Sequence, residues 1–333
     1  MAVSLKQIAQ ESKLSIPTVS RVLRGEAGFS EETRKRVMEV ANRLRYRPNM
    51  LVQGLQTGRS GTIGVMVPPL DSFLSEILIG IHQVLASNDH APLLLWPEAD
   101  LPEREQLHRL VDRRVEGVIL FPNHDAAPDA YLSEVWDRGL PLVTVDRQMP
   151  NTHADFVGTD DSFGAEAAAK HLLDLGHRNF VHLTACPSIS TAKRRWEAFE
   201  GSIRSVNGAK VRRIVADDFR SGLGPATECL RSADRPTAIF AANDILAVAV
   251  LEAAHDLGIN VPDDLSVVGY ADLDVARVAK PALTTLRQDP RHIGETAAQI
   301  MLDRLEGRLT RSSPMSVLDR PTLVVRESTG PCA

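Results

Sequence analysis

Arg21 is the residue best placed, by type and spacing, to do recognition chemistry. On the open face of a short helix an arginine can give two hydrogen bonds to guanine O6 and N7 in a DNA major groove. It lies in the run Ser15-Ile16-Pro17-Thr18-Val19-Ser20-Arg21-Val22-Leu23. Ser15 can cap the first turn, and Pro17 is tolerated there because first-turn N–H groups have no intrahelical partner. Val19, Val22 and Leu23 fall on one face at spacings of three and four, leaving Ile16, Pro17, Ser20 and Arg21 on the other. Ile16 and Pro17 have no hydrogen-bonding side chains, so they can offer methyl contact with thymine or shape readout. Ser4, Ser15, Ile16, Pro17, Thr18, Ser20 and Arg21 form the candidate DNA-contacting set.

A second candidate set is scattered through the body: Phe73, Asp146, Thr191, Arg195, Phe219, Asn243 and Asp272. Carboxylates, an amide, a hydroxyl and a guanidinium can bond a hydroxylated ligand, and the two phenyl rings can stack on it. The arrangement does not point to an enzyme. Asp160-Asp161, Asp217-Asp218 and Asp263-Asp264 are neighbours in sequence, which is not the spacing of two groups flanking a reacting bond. The ten histidines are scattered, with no His-Glu-x-x-His or Cys-x-x-Cys spacing. Ala185-Cys186-Pro187 lacks the glycines of a nucleophile elbow, no Gly-x-Ser-x-Gly occurs, and Gly222-Leu223-Gly224 lacks the third glycine of a dinucleotide loop. Neither a cofactor nor a metal is implied.

The recognition run needs a partner, because so short a helix is marginal alone. Ser4-Leu5-Lys6-Gln7 has the form of a capping box, Leu5, Ile8 and Ala9 follow on one face, and Ser12-Lys13-Leu14 makes a tight connection. Together these describe a helix-turn-helix. A third helix starts near Ser30, with Glu31 and Glu32 in its first turn and an apolar stripe of Val37, Val40, Ala41 and Leu44. Charge agrees with this division. The first 60 residues hold 11 Lys/Arg against 5 Asp/Glu, whereas the whole chain carries a net charge of −5. A cationic head on an acidic body is the footprint of phosphate contact confined to one end.

Tyr46-Arg47-Pro48 forces extended backbone, Asn49 can cap Met50–Gln56, and Thr57–Gly61 reads as a linker. From Thr62 onward, apolar strands alternate with amphipathic helices. The strands are expected at Thr62–Val67, Pro92–Trp96, Gly117–Phe121, Leu140–Val145, Phe180–Thr184, Val211–Val215, Ala238–Ala241 and Leu265–Gly269, with returning strands at Met315–Leu318 and Thr322–Val325. This pattern gives parallel sheets covered on both faces, and there are too many units for one sheet. Ligands of such folds bind outside the carboxyl ends of the strands, where the second candidate set lies. No apolar run reaches membrane-spanning length, no secretory signal is visible, and Cys186, Cys229 and Cys332 fit neither a disulfide framework nor a metal site. A cytoplasmic protein without membrane contact is expected.

Leu5–Arg24, Tyr46-Arg47-Pro48-Asn49 and Ile63-Gly64-Val65-Met66-Val67-Pro68 resemble the lactose-repressor (LacI/GalR) family of bacterial regulators, with Thr18–Leu23 among the most specific stretches. The resemblance implies an all-α helix-turn-helix head followed by an α/β body of two doubly wound parallel-sheet subdomains, like periplasmic binding proteins. It assigns 1–47 to the head, 48–61 to a hinge helix and linker, and 62–333 to effector binding and dimerisation. Within the body, 62–158 with 289–318 would make one subdomain and 159–288 with 319–333 the other. The resemblance makes Leu55 a wedge entering the minor groove beside Asn49, with Val52 in place of the usual alanine. It also places Arg195, Asn243 and Asp146 at effector contacts. The family usually carries an acid where Ala271 stands in Gly269-Tyr270-Ala271-Asp272, so Asp272 is the candidate substitute.

The expected function is an operator-binding regulator, a repressor, switched by a small-molecule effector, with a sugar or sugar acid favoured. With no heptad run near the final residues, a homodimer reading a pseudo-palindromic operator is expected. A solute-binding protein of transport is the alternative for residues 62–333 alone, and an activator the alternative for the whole.

Overall fold

The computed structural model describes residues 3–46, 59–68, 71–96, 98, 101–122, 130–149, 153–310 and 313–332. It divides into two units, Met1–Ser60 and Gly61–Ala333. In the first, α1 (Leu5–Ser12), α2 (Ile16–Leu23) and α3 (Glu31–Arg43) enclose a small core. Ser4 and Gln7 complete the capping box of α1, Ser15 caps α2 by accepting from Thr18 N–H, and Ser30 caps α3 in the same way. Lys13 turns the chain between α1 and α2 at φ 55°, in the left-handed region that favours glycine. Ile8, Ala9, Val19, Val22, Val37, Val40 and Ala41 meet in the centre, with Phe29 and Tyr46 packed against them. Ser12 is buried there without penalty, because its Oγ donates to the Ile8 carbonyl at 2.7 Å.

The second unit runs β1 (Thr62–Met66), α4 (Ser72–Ser87), β2 (Ala91–Leu95), α5 (Glu103–Asp112), β3 (Gly117–Leu120), α6 (Ala130–Asp137), β4 (Leu142–Val145) and β5 (Asp155–Thr159). It continues with α7 (Asp161–Asp174), β6 (Asn179–Thr184), α8 (Ser190–Arg204), β7 (Lys210–Val215), α9 (Phe219–Arg231), β8 (Ala238–Ala241), α10 (Asp244–Asp256) and β9 (Ser266–Ala271). Last come α11 (Asp274–Val278), β10 (Thr284–Arg287), α12 (Pro290–Leu305), β11 (Ser316–Asp319) and β12 (Thr322–Val324).

Two six-stranded sheets result, ordered β11-β5-β4-β3-β1-β2 and β12-β10-β9-β8-β6-β7. All pairings are parallel except β10 with β12. Each sheet reverses its winding between its first and third strands, at β1/β3 in one and β6/β8 in the other, so both open a crevice at their carboxyl ends. The chain passes between the sheets after β5, after β10 and after β11. Glycines let two helices of the first sheet touch. A Cβ on Gly294 of α12 would stand 2.9 Å from the Ile77 carbonyl carbon of α4, and one on Gly80 of α4 would meet Glu295 N at the same distance.

Two strands and three helices carry no clear sequence signal. β5 begins on an aspartate and contains Gly158, β10 has one large apolar residue, and α6 and α11 are short. α9 contains Gly222, Gly224 and Pro225, residues that disfavour a helix interior. It forms because Asp218 and Ser221 close a capping box and because Gly222 lets it lie against Leu246 of α10. β9 runs two residues beyond the expected Gly269. No helix is long and apolar enough to cross a membrane among the described residues.

Candidate nucleic-acid interface and ligand cleft

In the head, Val19 and Val22 point into the core while Ile16, Pro17 and Arg21 are exposed and Thr18 and Ser20 half-buried. Ser4 and Ser15 are exposed at the starts of the first two helices. The hydroxyls of Ser15 and Thr18 lie 2.8 Å apart, so part of their hydrogen-bonding capacity serves the cap. Asn49 and Leu55 lie outside the described residues.

In the body, a cleft of about 590 Å3 opens between the carboxyl ends of the two sheets. Phe73, Asp146, Thr191, Arg195 and Asn243 all line it, with Asp71, Phe121, Cys186, Asp217, Ile245, Tyr270 and Gln288. Arg195 of α8 is the most constrained of these. Its Nε donates to Asp161 Oδ1 at 2.7 Å, its Nη1 to the Ala242 carbonyl at 2.5 Å, and its guanidinium lies 3.7 Å from the Tyr270 ring centroid. Asn243 caps α10 through Oδ1, accepting from Leu246 N–H at 2.8 Å. Its amide nitrogen makes no hydrogen bond among the described residues and so remains a donor. Gln288 ties two of the crossings together by donating to Thr159 Oγ1 at 2.6 Å.

Burial raises the carboxyl of Asp146 to about 6 against the pull of Arg147 and Arg195, and Asp161 and Asp71 push it the same way as burial. Burial raises Asp161 too, opposed by Arg195. Asp244 beneath the cleft is also raised by burial to about 6, while Thr285 Oγ1 and Leu273 N–H donate to it at 2.5 and 2.7 Å. Asp146 has φ 65° and Ala271 φ 118°, so the loops after β4 and β9 hold conformations that side chains other than glycine rarely adopt. Such strain tends to collect where a site needs a fixed geometry.

Two of the proposed ligand residues are not brought to the cleft. Asp272 does not line it; its side chain is buried away, held by Arg287 Nε at 2.6 Å and by Arg326 and Arg277. Burial opposes ionisation, yet the hydrogen bonds from Arg287 and Arg326 hold this carboxyl below its ordinary value. Asp272 therefore does not replace the acid missing at Ala271. Phe219 opens α9 behind its Asp218 cap, outside the lining. Sequence reasoning passed over Asp71, Tyr270, Ile245 and Gln288 as lining residues. All four follow or end strands or crossings, the same positional signal that found Asn243. Among the described residues, no His, Cys, Asp and Glu groups could together hold a metal.

Residues 4–49 match the family model for bacterial regulatory proteins of the lacI family, and residues 169–329 match that for the periplasmic binding protein-like domain. The chain is 30% identical over 347 residues to the HTH-type transcriptional regulator DegA of Bacillus subtilis (strain 168), covering 99% of each. It is 28% identical over 330 residues to the ribose operon repressor of Haemophilus influenzae, covering 98% of each. Among solved structures, it matches the Lac repressor dimer bound to operator and the anti-inducer ONPF with a TM-score of 0.88 at 27% identity, over 99% of this chain and 100% of that one. The chain belongs to the lacI family of bacterial regulatory proteins, as a DNA-binding transcriptional regulator with a small-molecule effector domain and not as an enzyme.

Proposed function

We propose that this protein is a cytoplasmic, homodimeric repressor whose operator affinity is set by a neutral, polyhydroxylated effector bound between the subdomains. The observation that carries the effector class is the state of Arg195. Its charge is already balanced by Asp161, while Asp71, Asp146 and Asp217 line the same cleft with Arg147 as the other cation of the lining. A carboxylate or phosphate ligand would meet more negative than positive charge. Hydroxyls would instead find carboxylate acceptors, the Asn243 amide donor and the Phe73 ring. The balance of charge thus favours a sugar over the sugar acid that the missing acid at Ala271 suggests.

In the head, Arg21 reads a guanine and its neighbours Ile16 and Pro17 make apolar contacts. Two heads reading a pseudo-palindrome fit the family's symmetry. Asn49 and Leu55 remain proposed hinge contacts.

A thermal-shift screen of pentoses, hexoses, uronic acids, sugar phosphates and nucleobases tests the effector class. A ligand at 100 times its Kd stabilises the fold it binds by about 2.7 kcal/mol. A neutral sugar should raise the melting temperature. A response confined to uronic acids or phosphates would overturn the charge argument.

A further inference from the structure

Arg21 does not stand free on the recognition helix. Its Nε donates to Glu26 Oε2 at 2.6 Å, and Arg24 Nη2 lies 3.0 Å from Glu26 Oε1, so both carboxylate oxygens are occupied. The Arg21 guanidinium carbon also sits 5.2 Å from the centroid of the Phe29 ring. The segment carrying Glu26 and Phe29 is itself fixed. Glu26 N–H donates to the Arg21 carbonyl at 3.1 Å, Arg34 of α3 donates to the Glu26 carbonyl, and Phe29 packs on the head core.

We infer that Glu26 and Phe29 are positioning residues that set guanine specificity by aiming the Arg21 fork. The geometry favours aiming over blocking, because Glu26 engages Nε. The two terminal nitrogens make no hydrogen bond among the described residues and remain available for guanine O6 and N7. An arginine ordered before contact loses less freedom on binding, and a fork fixed in direction penalises the wrong base more sharply. The carboxylate weakens attraction to phosphates generally, so the device exchanges nonspecific affinity for discrimination.

The inference rests on Arg21 reading a base, and the test separates the two. Binding duplexes are selected from a randomised pool with the full-length wild type. The affinities of Arg21→Ala, Glu26→Ala, Glu26→Gln and Phe29→Leu for the enriched duplex and its single-base variants are then measured by anisotropy at fixed salt. Arg21→Ala should erase the preference for guanine at one position. Glu26→Ala and Phe29→Leu should reduce preference at that same position about 3- to 10-fold and leave the others nearly unchanged. Glu26→Gln keeps an acceptor oxygen and should restore part of the preference, while both Glu26 variants should bind random duplex more tightly.

Guanine preference unchanged or sharpened in Glu26→Ala would overturn the inference, as would an equal loss at every position. Retention of all preferences by Arg21→Ala would instead remove the base-reading role on which it rests.

Discussion

Arg195 and Asp161 form an ion pair between α8 and α7 at 2.7 Å, with side chains 10% and 1% exposed. Asp161 is the first residue of α7, directly after the first crossing between the sheets, and Arg195 lines the cleft. One side chain therefore faces the ligand space and grips the first crossing between the two sheets. A ligand that bonds the remaining face of the guanidinium would act on that crossing, and it shifts the equilibrium only by its differential affinity for the two arrangements.

Arg195→Ala should therefore leave operator binding intact and remove its response to effector. Arg195→Lys should keep the pair with Asp161 but lose the planar fork, weakening effector binding by about 1.5–3 kcal/mol, the usual range for a hydrogen bond to a charged group. Burial already raises the Asp161 carboxyl, so in the alanine variant Asp161 can take a proton rather than stay charged and unpaired. DNA titrations with and without the sugar found by thermal shift measure the response. A full response in the alanine variant would remove Arg195 from the switch.

The head and most of the sheets were legible because their signals are local: Ser–Gln capping, helical spacing of valines, and runs of β-branched residues. The cleft was half legible. Residues such as Asn243 follow a strand directly, and position alone marks them. Asp272 follows a strand equally well, but Arg277, Arg287 and Arg326 come from three separate segments to bury it, which no local pattern records. α9 escaped notice for the opposite reason. Its glycines and proline argue against a helix locally, while packing of Gly222 on α10 permits one.

Gly294→Ala should destabilise the body by about 1–3 kcal/mol or more, the range for overpacking a close contact. The new methyl would overlap the Ile77 carbonyl on α4, which is backbone and cannot rotate away. Urea unfolding followed by tryptophan fluorescence reads the body, since all three tryptophans lie beyond residue 60. An unchanged midpoint would show that α4 and α12 separate without cost.

Arg304 and Asp155 form a second buried pair, with Nε and Nη2 donating to the two carboxylate oxygens at 2.9 and 2.6 Å and both side chains 2% exposed. Arg304 also donates to the Ser313 carbonyl, and Met315 N–H to Asp155, so the pair secures the approach to β11. Arg304→Met should cost about 3–5 kcal/mol, because it strands a buried carboxylate. Adding Asp155→Leu should recover much of the loss. Additive losses in the double variant would show that the two side chains act independently.

Asp146 makes body stability depend on pH in a defined direction. Burial raises its carboxyl from 3.8 to about 6. Below pH about 4 the group is protonated in both folded and unfolded chains. Between about 4 and 6 the unfolded chain ionises first, so the favourable contribution of the protonated folded form is lost as pH rises through 6. Asn cannot ionise, and Asp146→Asn should therefore gain stability relative to wild type from pH 4 to 6 and hold that gain above it. A shift of this size corresponds to about 1–3 kcal/mol once the partial exposure of the group is allowed for. A hydroxylated effector that donates to the ionised carboxylate should bind more tightly across the same window, and the Asn variant should lose that dependence. Urea unfolding and effector titration at pH 4, 5, 6 and 7 measure both. A stability difference that is flat across the series would mean that Asp146 titrates like an exposed carboxylate.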